Sequence, residues 1–535
     1  MKFRYILPML LLAGATPSSF GQQGITNPVT QAAMRTYNEE LRENPQNYHA
    51  LFNRGNVYYQ HDDYVRALED FTEGLKYAPA KGDDEATRMQ LLLLRADIYN
   101  QTKRPEQALA DLAEAYALAP DSYAVIYQKA NTEYVLGQYA EAEADYKRLR
   151  SLNPRSVESL IGQARVAVKR NNLGIANELL AQAVAIDPNN GDTFVRRAAV
   201  RKMMGDHNGA VDDLILALST NDPRPNNALE ELVDYGKTNY AATISGLTNA
   251  MQAAPSNGMY PYLRAMIAQS HFNFTAALKD YRHIIDKGLY NYHGIHASMA
   301  ECLYALGKYD EALENIDRAL GMTRGQAGYF AIRANILRAL GRAEGARTAA
   351  EAGLIVDASN VASLEALALA RVALGDYERA SASLGEAVMN DSGAPRPLLM
   401  RAWLTEKYLN SPSAARQMLE QVTDMDNFYI DNVRSLRGFA LLQLGEREKA
   451  LQWISNIIDT VDDTDGSVNY HAACLYAQAD EPDKALECME RSLEKGYADY
   501  HNWMDATDGW VNPAPIRDEL RFLNLLNRYS IIFGR

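Results

Sequence analysis

Hydrogen-bonding side chains recur at one phase of this 535-residue chain, each directly after a small residue. They are Asn56, Asp97, Asn131 and Asn335. An asparagine amide both donates and accepts, so it can hold the backbone of an extended peptide whatever side chains that peptide carries. These residues therefore predict recognition of a polypeptide segment rather than a chemical reaction.

Aromatic side chains and one arginine lie close to these positions. They are Phe52, Tyr59, Tyr127, Tyr134 and Arg165. Aromatic anchors combined with a few polar groups are typical of surfaces that bind peptides. Two interpretations stay open: the side chains bind a partner, or they fill the inner curve of the fold and bond to adjacent helices.

Histidines form the densest metal-like group and support an alternative, a metal-dependent active site within residues 265–301. The group comprises His271, His283, His293 and His296, with Glu301 nearby. A metal site needs ligands that converge, which this spacing does not require, so surface or helix-capping histidines are the simpler interpretation. The sequence has no phosphate loop, nucleophile elbow, zinc-binding histidine pair or Cys-x-x-Cys motif. It therefore predicts no catalytic residue, metal or cofactor.

An internal repeat determines which elements position these side chains. Alanines recur about every 34 residues, and twelve residues before each one stands another small residue. The alanines are Ala67, Ala108, Ala142, Ala176, Ala210, Ala277, Ala312, Ala346, Ala380, Ala414, Ala450 and Ala485. A small residue in each of two adjacent helices lets their backbones approach closely. Such a pair at this period predicts stacked helical hairpins.

The alanine series is interrupted between Ala210 and Ala277, which lie almost two periods apart. In the intervening segment, residues 224–258, the two small positions are taken by Leu232 and Ile244. Larger side chains would separate or rotate the two helices, which predicts a hinge or kink. Compensating size changes that preserve the stack are the alternative.

Each repeat shares one internal pattern. In one unit, residues 124–136 are the predicted first helix, Gly137 begins the turn, and residues 139–152 are the second helix, which Pro154 closes. An insertion at residues 81–87 is expected to form an extra loop. The pattern resembles the tetratricopeptide repeat, and the resemblance covers nearly the whole mature chain. It implies an all-α, right-handed superhelical solenoid of stacked antiparallel hairpins, with a concave groove lined by the first helices.

The resemblance also implies that the amide and aromatic positions named above face the groove. Some such grooves clamp a chain-terminal carboxylate with lysines and an arginine. Here the corresponding positions carry Phe52, Leu93, Tyr127 and Ile161, so that clamp is not expected. Arg165, Lys169 and Lys202 lie on the groove side of the next two units, where an acidic segment could be accommodated.

The predicted organisation runs from a secretory signal to a terminal cap. Residues 1–21 have a basic start, an apolar stretch and a small-x-small cleavage site ending at Gly21. The further parts are a half-repeat (22–47), five repeats (48–223), the degenerate repeat (224–258), seven repeats (259–496) and a capping segment (497–535) that resembles the end-of-group module of some tetratricopeptide arrays. In that segment, Trp503 and Trp510 either pack on the last hairpin or form an aromatic binding site.

Composition narrows the choice of partner. The chain has 54 Lys and Arg against 68 Asp and Glu, a formal net charge of −14, so nucleic acid is an unfavourable partner. No apolar segment after the signal is long enough to span a bilayer. Cys302, Cys474 and Cys488 predict buried thiols, although Cys474 and Cys488 could pair across one hairpin.

These observations predict a non-enzymatic scaffold or adaptor of the cell envelope. The protein is expected to be exported to the periplasm and to bind other proteins or extended peptide segments in its groove, with association with outer-membrane complexes left open. A metal-dependent enzyme is one alternative. The other is a purely architectural spacer that uses its ends and convex face.

Overall fold

A computed structural model describes residues 27–82, 84–220, 226–391, 393–425, 431–505 and 511–534 of the chain. Within those ranges the regular structure is entirely helical. The predicted signal segment and Trp510 lie outside the described residues. None of the helices in the described ranges is long and apolar enough to cross a membrane.

After one leading helix, α1 (Pro28–Glu43), the helices alternate between first and second members of hairpins. The first members are α2 (Tyr48–Gln60), α4 (Glu85–Gln101), α6 (Tyr123–Val135), α8 (Val157–Lys169), α10 (Gly191–Met204), α12 (Ala228–Thr238), α14 (Met259–Ser270), α16 (His293–Ala305), α18 (Ala327–Ala339), α20 (Val361–Ala373), α22 (Pro395–Lys407), α24 (Asp431–Gln443) and α26 (Ser467–Gln478). The second members are α3 (Tyr64–Tyr77), α5 (Pro105–Leu118), α7 (Tyr139–Leu152), α9 (Leu173–Ile186), α11 (His207–Ser219), α13 (Tyr240–Ala253), α15 (Phe274–Asp286), α17 (Tyr309–Met322), α19 (Ala343–Val356), α21 (Tyr377–Asn390), α23 (Pro412–Asp424), α25 (Arg447–Thr460) and α27 (Pro482–Glu494), and a last helix is α28 (Leu520–Arg528). The predicted all-α stack of helical hairpins is confirmed.

The small residues lie where the two helices of a hairpin approach each other. Ala67 on α3 is fully buried. A Cβ atom added to Gly55 on α2 would come within 2.6 Å of the Phe71 ring on α3. Because no real Cβ could stay at that distance, the missing side chain is what lets α2 and α3 pack this closely.

One member of the predicted alanine series is wrong by one residue. Ala414 is exposed, whereas Ala415 is buried and Leu419, four residues later, is buried with it. The second helix α23 begins at Pro412, three residues before Ala415, as α3 begins three residues before Ala67. The sequence period selected the adjacent alanine because two alanines stand side by side.

The degenerate repeat is also one residue out of the predicted phase. Thr243, not Ile244, is the fully buried residue near the start of α13, and Leu247 follows it as the large buried residue. Thr243 stands three residues after the start of α13, in the same place as Ala67 on α3. The second helix of this repeat therefore keeps a small residue. The predicted hinge stays a prediction.

The insertion at residues 81–87 is only partly a loop. Helix α4 begins at Glu85 and has 17 residues, whereas α2 has 13. The end of the insertion therefore extends the first helix by about one turn, since a turn takes 3.6 residues.

The described residues pack as two units that divide between Leu232 and Val233, inside α12. In the N-terminal unit, residues 27–232, the hydrophobic core consists of several separate clusters, each shared by neighbouring helices. In the C-terminal unit, residues 233–534, a large cluster extends from Tyr262 to Phe533, beside a smaller one between Ala331 and Ala370. The largest described cluster of the C-terminal unit thus extends much further along the chain than the described clusters of the N-terminal unit.

The end of the C-terminal unit packs against its beginning. The two ring nitrogens of His501 lie 2.8 Å from the Tyr304 hydroxyl and 2.7 Å from the Tyr309 hydroxyl. The Thr275 hydroxyl donates to the Ile532 carbonyl at 2.9 Å. The segment after α27 therefore contacts α15, α16 and α17, a long-range arrangement that the sequence did not predict.

Trp503 packs on the last hairpin, as one of the two interpretations predicted. Its side chain is fully buried and lies edge-on to Tyr470 of α26, with ring centroids 4.9 Å apart. The three cysteines are free, buried thiols, so the pairing of Cys474 with Cys488 is not formed. Burial raises the pKa of both thiols to about 12.

Candidate functional site

A recurring ion pair joins the two helices of most hairpins in the N-terminal unit. The basic residue stands directly before the small residue of the first helix, and the aspartate follows sixteen residues later on the second helix. The pairs are Arg54–Asp70 (2.6 Å), Arg95–Asp111 (2.7 Å), Lys129–Asp145 (2.8 Å) and Arg197–Asp213 (2.5 Å), and Arg264–Asp280 (2.6 Å) repeats them in the C-terminal unit. The sequence analysis missed these pairs, although their constant spacing could have revealed them.

The hairpin formed by α8 and α9 departs from this arrangement. Gln163 and Leu179 occupy the two positions that hold the ion pair elsewhere. The basic residue of this repeat is Arg165, which stands after the small residue instead of before it. Its charge is therefore displaced from the interface between the two helices of the hairpin.

Tyr146 links this hairpin to the preceding one. It is fully buried, and its ring lies over Gly162 of α8, where an added Cβ would come within 2.3 Å of it. Its hydroxyl donates to the Asn131 side-chain oxygen at 2.8 Å. Gly162 thus admits a tyrosine from α7, and the tyrosine fixes an asparagine on α6.

Asn131 is held by two donors. Besides the Tyr146 hydroxyl, the Nη1 atom of Arg165 donates to the same Oδ1 atom at 3.1 Å. A guanidinium can only donate, so the amide must present its oxygen to Arg165. The Asn131 NH₂ group is then directed away from both donors.

Aromatic rings hold Arg165 and extend the site. The guanidinium lies over the Tyr134 ring, 4.1 Å from its centroid. The Tyr134 ring packs against the Tyr139 ring, with centroids 5.7 Å apart. Tyr127 stacks on Tyr123 with centroids 6.3 Å apart. A cation above a tyrosine face is attracted by the ring quadrupole, so Arg165 has a defined place on this surface.

An open pocket of about 180 Å³ lies between the first helices α6, α8 and α10. We call it the first-helix pocket; it is lined by Tyr127, Val157, Glu158, Ile161, Arg165, Asn190, Asp192 and Arg196. Its apolar part comes from Val157, Ile161 and the Tyr127 ring. Predicted candidates Tyr127 and Arg165 therefore line one cavity, with Asn131 and Tyr134 in direct contact with Arg165.

Two further candidates, Tyr59 and Asp97, are hydrogen-bonded to each other. The Tyr59 hydroxyl donates to the Asp97 carboxylate at 2.6 Å. Burial, followed by this carboxylate, raises the pKa of Tyr59 to about 12. Gln101 donates to the same carboxylate at 2.5 Å. This pair supports the interpretation in which adjacent first helices bond to each other.

The remaining candidates lie apart from the first-helix pocket. Phe52 is half-buried and packs on the hydrophobic cluster around Phe71. Asn56 is half-buried on α2. Asn335 is half-buried on α18 and belongs to the C-terminal unit, so the structure does not place it with the others.

The two lysines expected to favour an acidic ligand differ in their surroundings. Lys169 is exposed at the end of α8. Lys202 forms an ion pair with Glu231 at 2.6 Å, so its charge is already neutralised. Of the three basic residues predicted on the groove side, Arg165 is the one that is half-buried and lines the pocket.

The histidines of the alternative metal site have other partners. The His271 ring contacts the Gly236 carbonyl at 2.9 Å, and the His293 ring contacts the Tyr329 hydroxyl at 2.8 Å. The Glu301 carboxylate accepts from Gln269 at 3.0 Å. Among the residues that the structure describes, no three His, Cys, Asp or Glu side chains form a group that could hold a metal ion.

Stacked helical hairpins whose first helices present a side-chain-lined pocket define a repeat protein of the protein-interaction class. Models of the tetratricopeptide repeat match residues 48–81, 90–122, 127–191 and 298–363. The chain therefore contains tetratricopeptide repeats over these residues. The match at 127–191 covers the hairpins of α6 and α8, two of the three first helices that line the first-helix pocket.

Two curated relatives align with part of the chain. The human mitochondrial import receptor subunit TOM70 is 23% identical over 207 residues, which cover 37% of this chain and 32% of the human protein. A DnaJ homolog subfamily C member 7 homolog from Dictyostelium discoideum is 28% identical over 119 residues, 22% of each chain. The chain thus spans between a fifth and a third of the curated relatives it matches.

Solved structures of the same fold also resemble the chain. Yeast Tom70 is 14% identical, with a TM-score of 0.40, and the match covers 90% of this chain and 96% of that one. A tetratricopeptide repeat protein from Parabacteroides merdae is 19% identical, with a TM-score of 0.33, covering 51% of this chain and 92% of that one.

Proposed function

We propose that the protein is a non-enzymatic scaffold or receptor whose N-terminal unit binds an extended segment of a partner protein at the first-helix pocket. The observation that carries the proposal is the fixed orientation of Asn131. Two donors occupy its oxygen, so its NH₂ group is prepared to donate to a backbone carbonyl of the partner. A donor that needs no reorganisation loses little conformational entropy when it binds.

The pocket adds side-chain recognition to this backbone contact. Val157, Ile161 and the Tyr127 ring offer an apolar surface for one partner side chain. Aromatic and aliphatic anchors of this kind supply most of the affinity of a peptide interface. The partner is therefore a polypeptide, and the protein holds it without transforming it.

We also propose that the protein acts in the cell envelope. The basic and apolar character of residues 1–21 supports export to the periplasm, and association with outer-membrane complexes is compatible with it. Mass spectrometry of the mature protein should find Gln22 as its first residue, in the periplasmic fraction. A mature chain that retains Met1 in the cytoplasm would reject this part of the proposal.

Site-specific photocrosslinking in cells tests the binding site. A photoreactive amino acid replaces Ile161 in the pocket. The matched control position is Ile175, an exposed residue on the second helix of the same hairpin. We expect a partner crosslink from position 161 only, and we expect Asn131→Ala to reduce it.

A further control uses the equivalent asparagine of the other unit. Asn335→Ala removes an amide at the same repeat position but without the contact to Arg165, so it should leave the crosslink unchanged. Equal crosslinking from positions 161 and 175, or insensitivity to Asn131→Ala, would contradict binding at the first-helix pocket.

A further inference from the structure

Arg165 differs from the other deeply placed arginines of the N-terminal unit. Arg54, Arg95 and Arg197 each hold a carboxylate at 2.7 Å or less. Within the described residues, no carboxylate lies within ion-pair distance of the Arg165 guanidinium, which instead contacts Asn131 and the Tyr134 ring. A half-buried cation has lost part of its hydration, and a carboxylate would restore the stabilisation.

The Arg165 guanidinium lines the first-helix pocket and does not lie between the two helices of its own hairpin. In the neighbouring repeats the cation stands before the small residue and meets an aspartate of its own second helix. In this repeat those positions are Gln163 and Leu179, and the cation lines an open pocket. This hairpin therefore lacks the ion pair of its neighbours and instead has a half-buried guanidinium at an open pocket.

We propose that the first-helix pocket recognises an acidic side chain, Asp or Glu, within the extended partner segment. This inference rests on the proposed function. The partner carboxylate pairs with the free N–H groups of Arg165, while a backbone carbonyl next to it accepts from the Asn131 NH₂ group. The aliphatic part of the acidic residue, or an apolar neighbour, contacts Ile161 and the Tyr127 ring.

Of the two acidic residues that line the pocket, one has a basic partner and the other is open to solvent. Asp192 is paired with Arg196 at 2.6 Å. Glu158 is exposed to solvent, and its carboxylate accepts from Ser156 at 3.3 Å and from Tyr123 at 3.4 Å. The net charge of −14 belongs to the whole chain, and exposed charges further away than about 8 Å are largely screened at physiological ionic strength.

Selection of displayed peptides on the full-length protein tests the proposal. Random peptides are selected on wild type and on Arg165→Glu, and the enriched sequences are compared. Wild type should enrich Asp or Glu beside an apolar residue. Arg165→Glu should lose that preference and enrich Lys or Arg instead.

Binding of the enriched acidic peptides should weaken about tenfold or more with Arg165→Glu, because a charge-assisted hydrogen bond is lost and a like charge is introduced. Arg165→Lys should fall between the two, since it keeps the charge but not the planar fork. The matched control is Arg104→Glu. Arg104 also lies over a tyrosine, Tyr99 at 4.8 Å, but outside the pocket.

The outcomes separate this inference from the proposed function. Peptides that bind wild type and depend on Asn131, yet show no acidic preference, would overturn the inference and leave the binding site standing. Peptides whose affinity depends on a free chain terminus, and is lost on C-terminal amidation, would also overturn it. If no peptide binds, or if Asn131→Ala leaves binding unchanged, both proposals fail.

Discussion

The two units of the protein are built from the same kind of hairpin, but their described contacts extend over different distances along the chain. In the N-terminal unit, most hairpins carry an ion pair between their two helices, and the described core clusters are shared by neighbouring helices. In the C-terminal unit, one core cluster joins residues from α14 to the end of the chain, and His501 bonds to tyrosines almost two hundred residues earlier.

On the proposed function, this contrast separates the unit that binds a partner from the unit whose first helices form long-range bonds within the chain. In the described residues of the N-terminal unit, first-helix groups such as Asn131 bond to neighbouring hairpins, and we propose that the Asn131 NH₂ group serves a ligand. The C-terminal unit uses equivalent positions internally: Tyr304, on the same helix position as Tyr134, is bonded to His501. Cooperativity should differ accordingly, because local stacks unfold piecewise and long-range contacts unfold together.

Trp503→Ala gives the largest expected effect. The side chain is fully buried between Tyr470 and Phe522, and removing such an aromatic group costs about 3–5 kcal/mol. Hydrogen exchange followed by mass spectrometry should show faster exchange in α15 and α16 as well as in α26, while α2–α9 keep their protection.

The matched control is Ile355→Ala in the same unit. That side chain is 87% exposed, so its removal should leave exchange unchanged. If Trp503→Ala loosens only α26 and α27, the C-terminal unit is not closed on itself and the contrast between the units disappears.

Asp213→Ala is expected to have the next largest effect, confined to its own hairpin. The fully buried carboxylate holds Arg197 at 2.5 Å and Arg201 at 3.0 Å. Removing it leaves the largely buried Arg197 guanidinium without its carboxylate, at a cost of about 3 kcal/mol. Exchange should accelerate in α10 and α11. In contrast to Trp503→Ala, helices further than the adjacent hairpins should stay protected.

Replacing the whole pair sharpens this test. The double variant Arg197→Met with Asp213→Leu removes both charges, so it should recover part of the stability lost in Asp213→Ala. A double variant no more stable than Asp213→Ala would mean that the carboxylate acts through Arg201 alone.

The architecture was predictable because a period of 34 residues reports local packing. Its errors were errors of one residue, at Ala414 and Ile244, where a neighbouring small side chain made the phase ambiguous. The network around Asn131 was only half predictable. The position of Asn131 followed from the repeat, but the donation by Tyr146 depends on how closely α7 approaches Gly162. The contact of His501 with Tyr304 has no sequence signal, because nothing local links residues so far apart.

Tyr146→Phe should have a smaller effect on stability, confined to the neighbouring helices. It removes the hydroxyl that donates to Asn131 at 2.8 Å, and a hydrogen bond of this type contributes about 1 kcal/mol. We expect a slight loss of protection in α6–α8 and weaker binding of the partner segment. Tyr139→Phe, whose ring contacts Tyr134 without bonding to Asn131, is the control and should leave the affinity unchanged.

The smallest expected effect is a dependence on pH that belongs to the C-terminal unit. His271 is buried there, and burial lowers its pKa from the ordinary value of 6.5. Because the folded state resists protonation, this group contributes stability that is present above pH 6.5 and is lost as the pH falls below it. Asp499 acts in the opposite sense: burial raises its pKa to about 7, so its contribution is lost as the pH rises through 7.

A variant isolates the histidine from that opposing group. His271→Gln keeps a donor for the Gly236 carbonyl but cannot take up a proton, so wild type should lose stability relative to the variant between pH 7 and pH 5. Denaturant unfolding, read from exchange in α14, measures the difference at each pH. Parallel pH curves for the two proteins would contradict this prediction, because they would show that His271 is protonated equally in the folded and unfolded states.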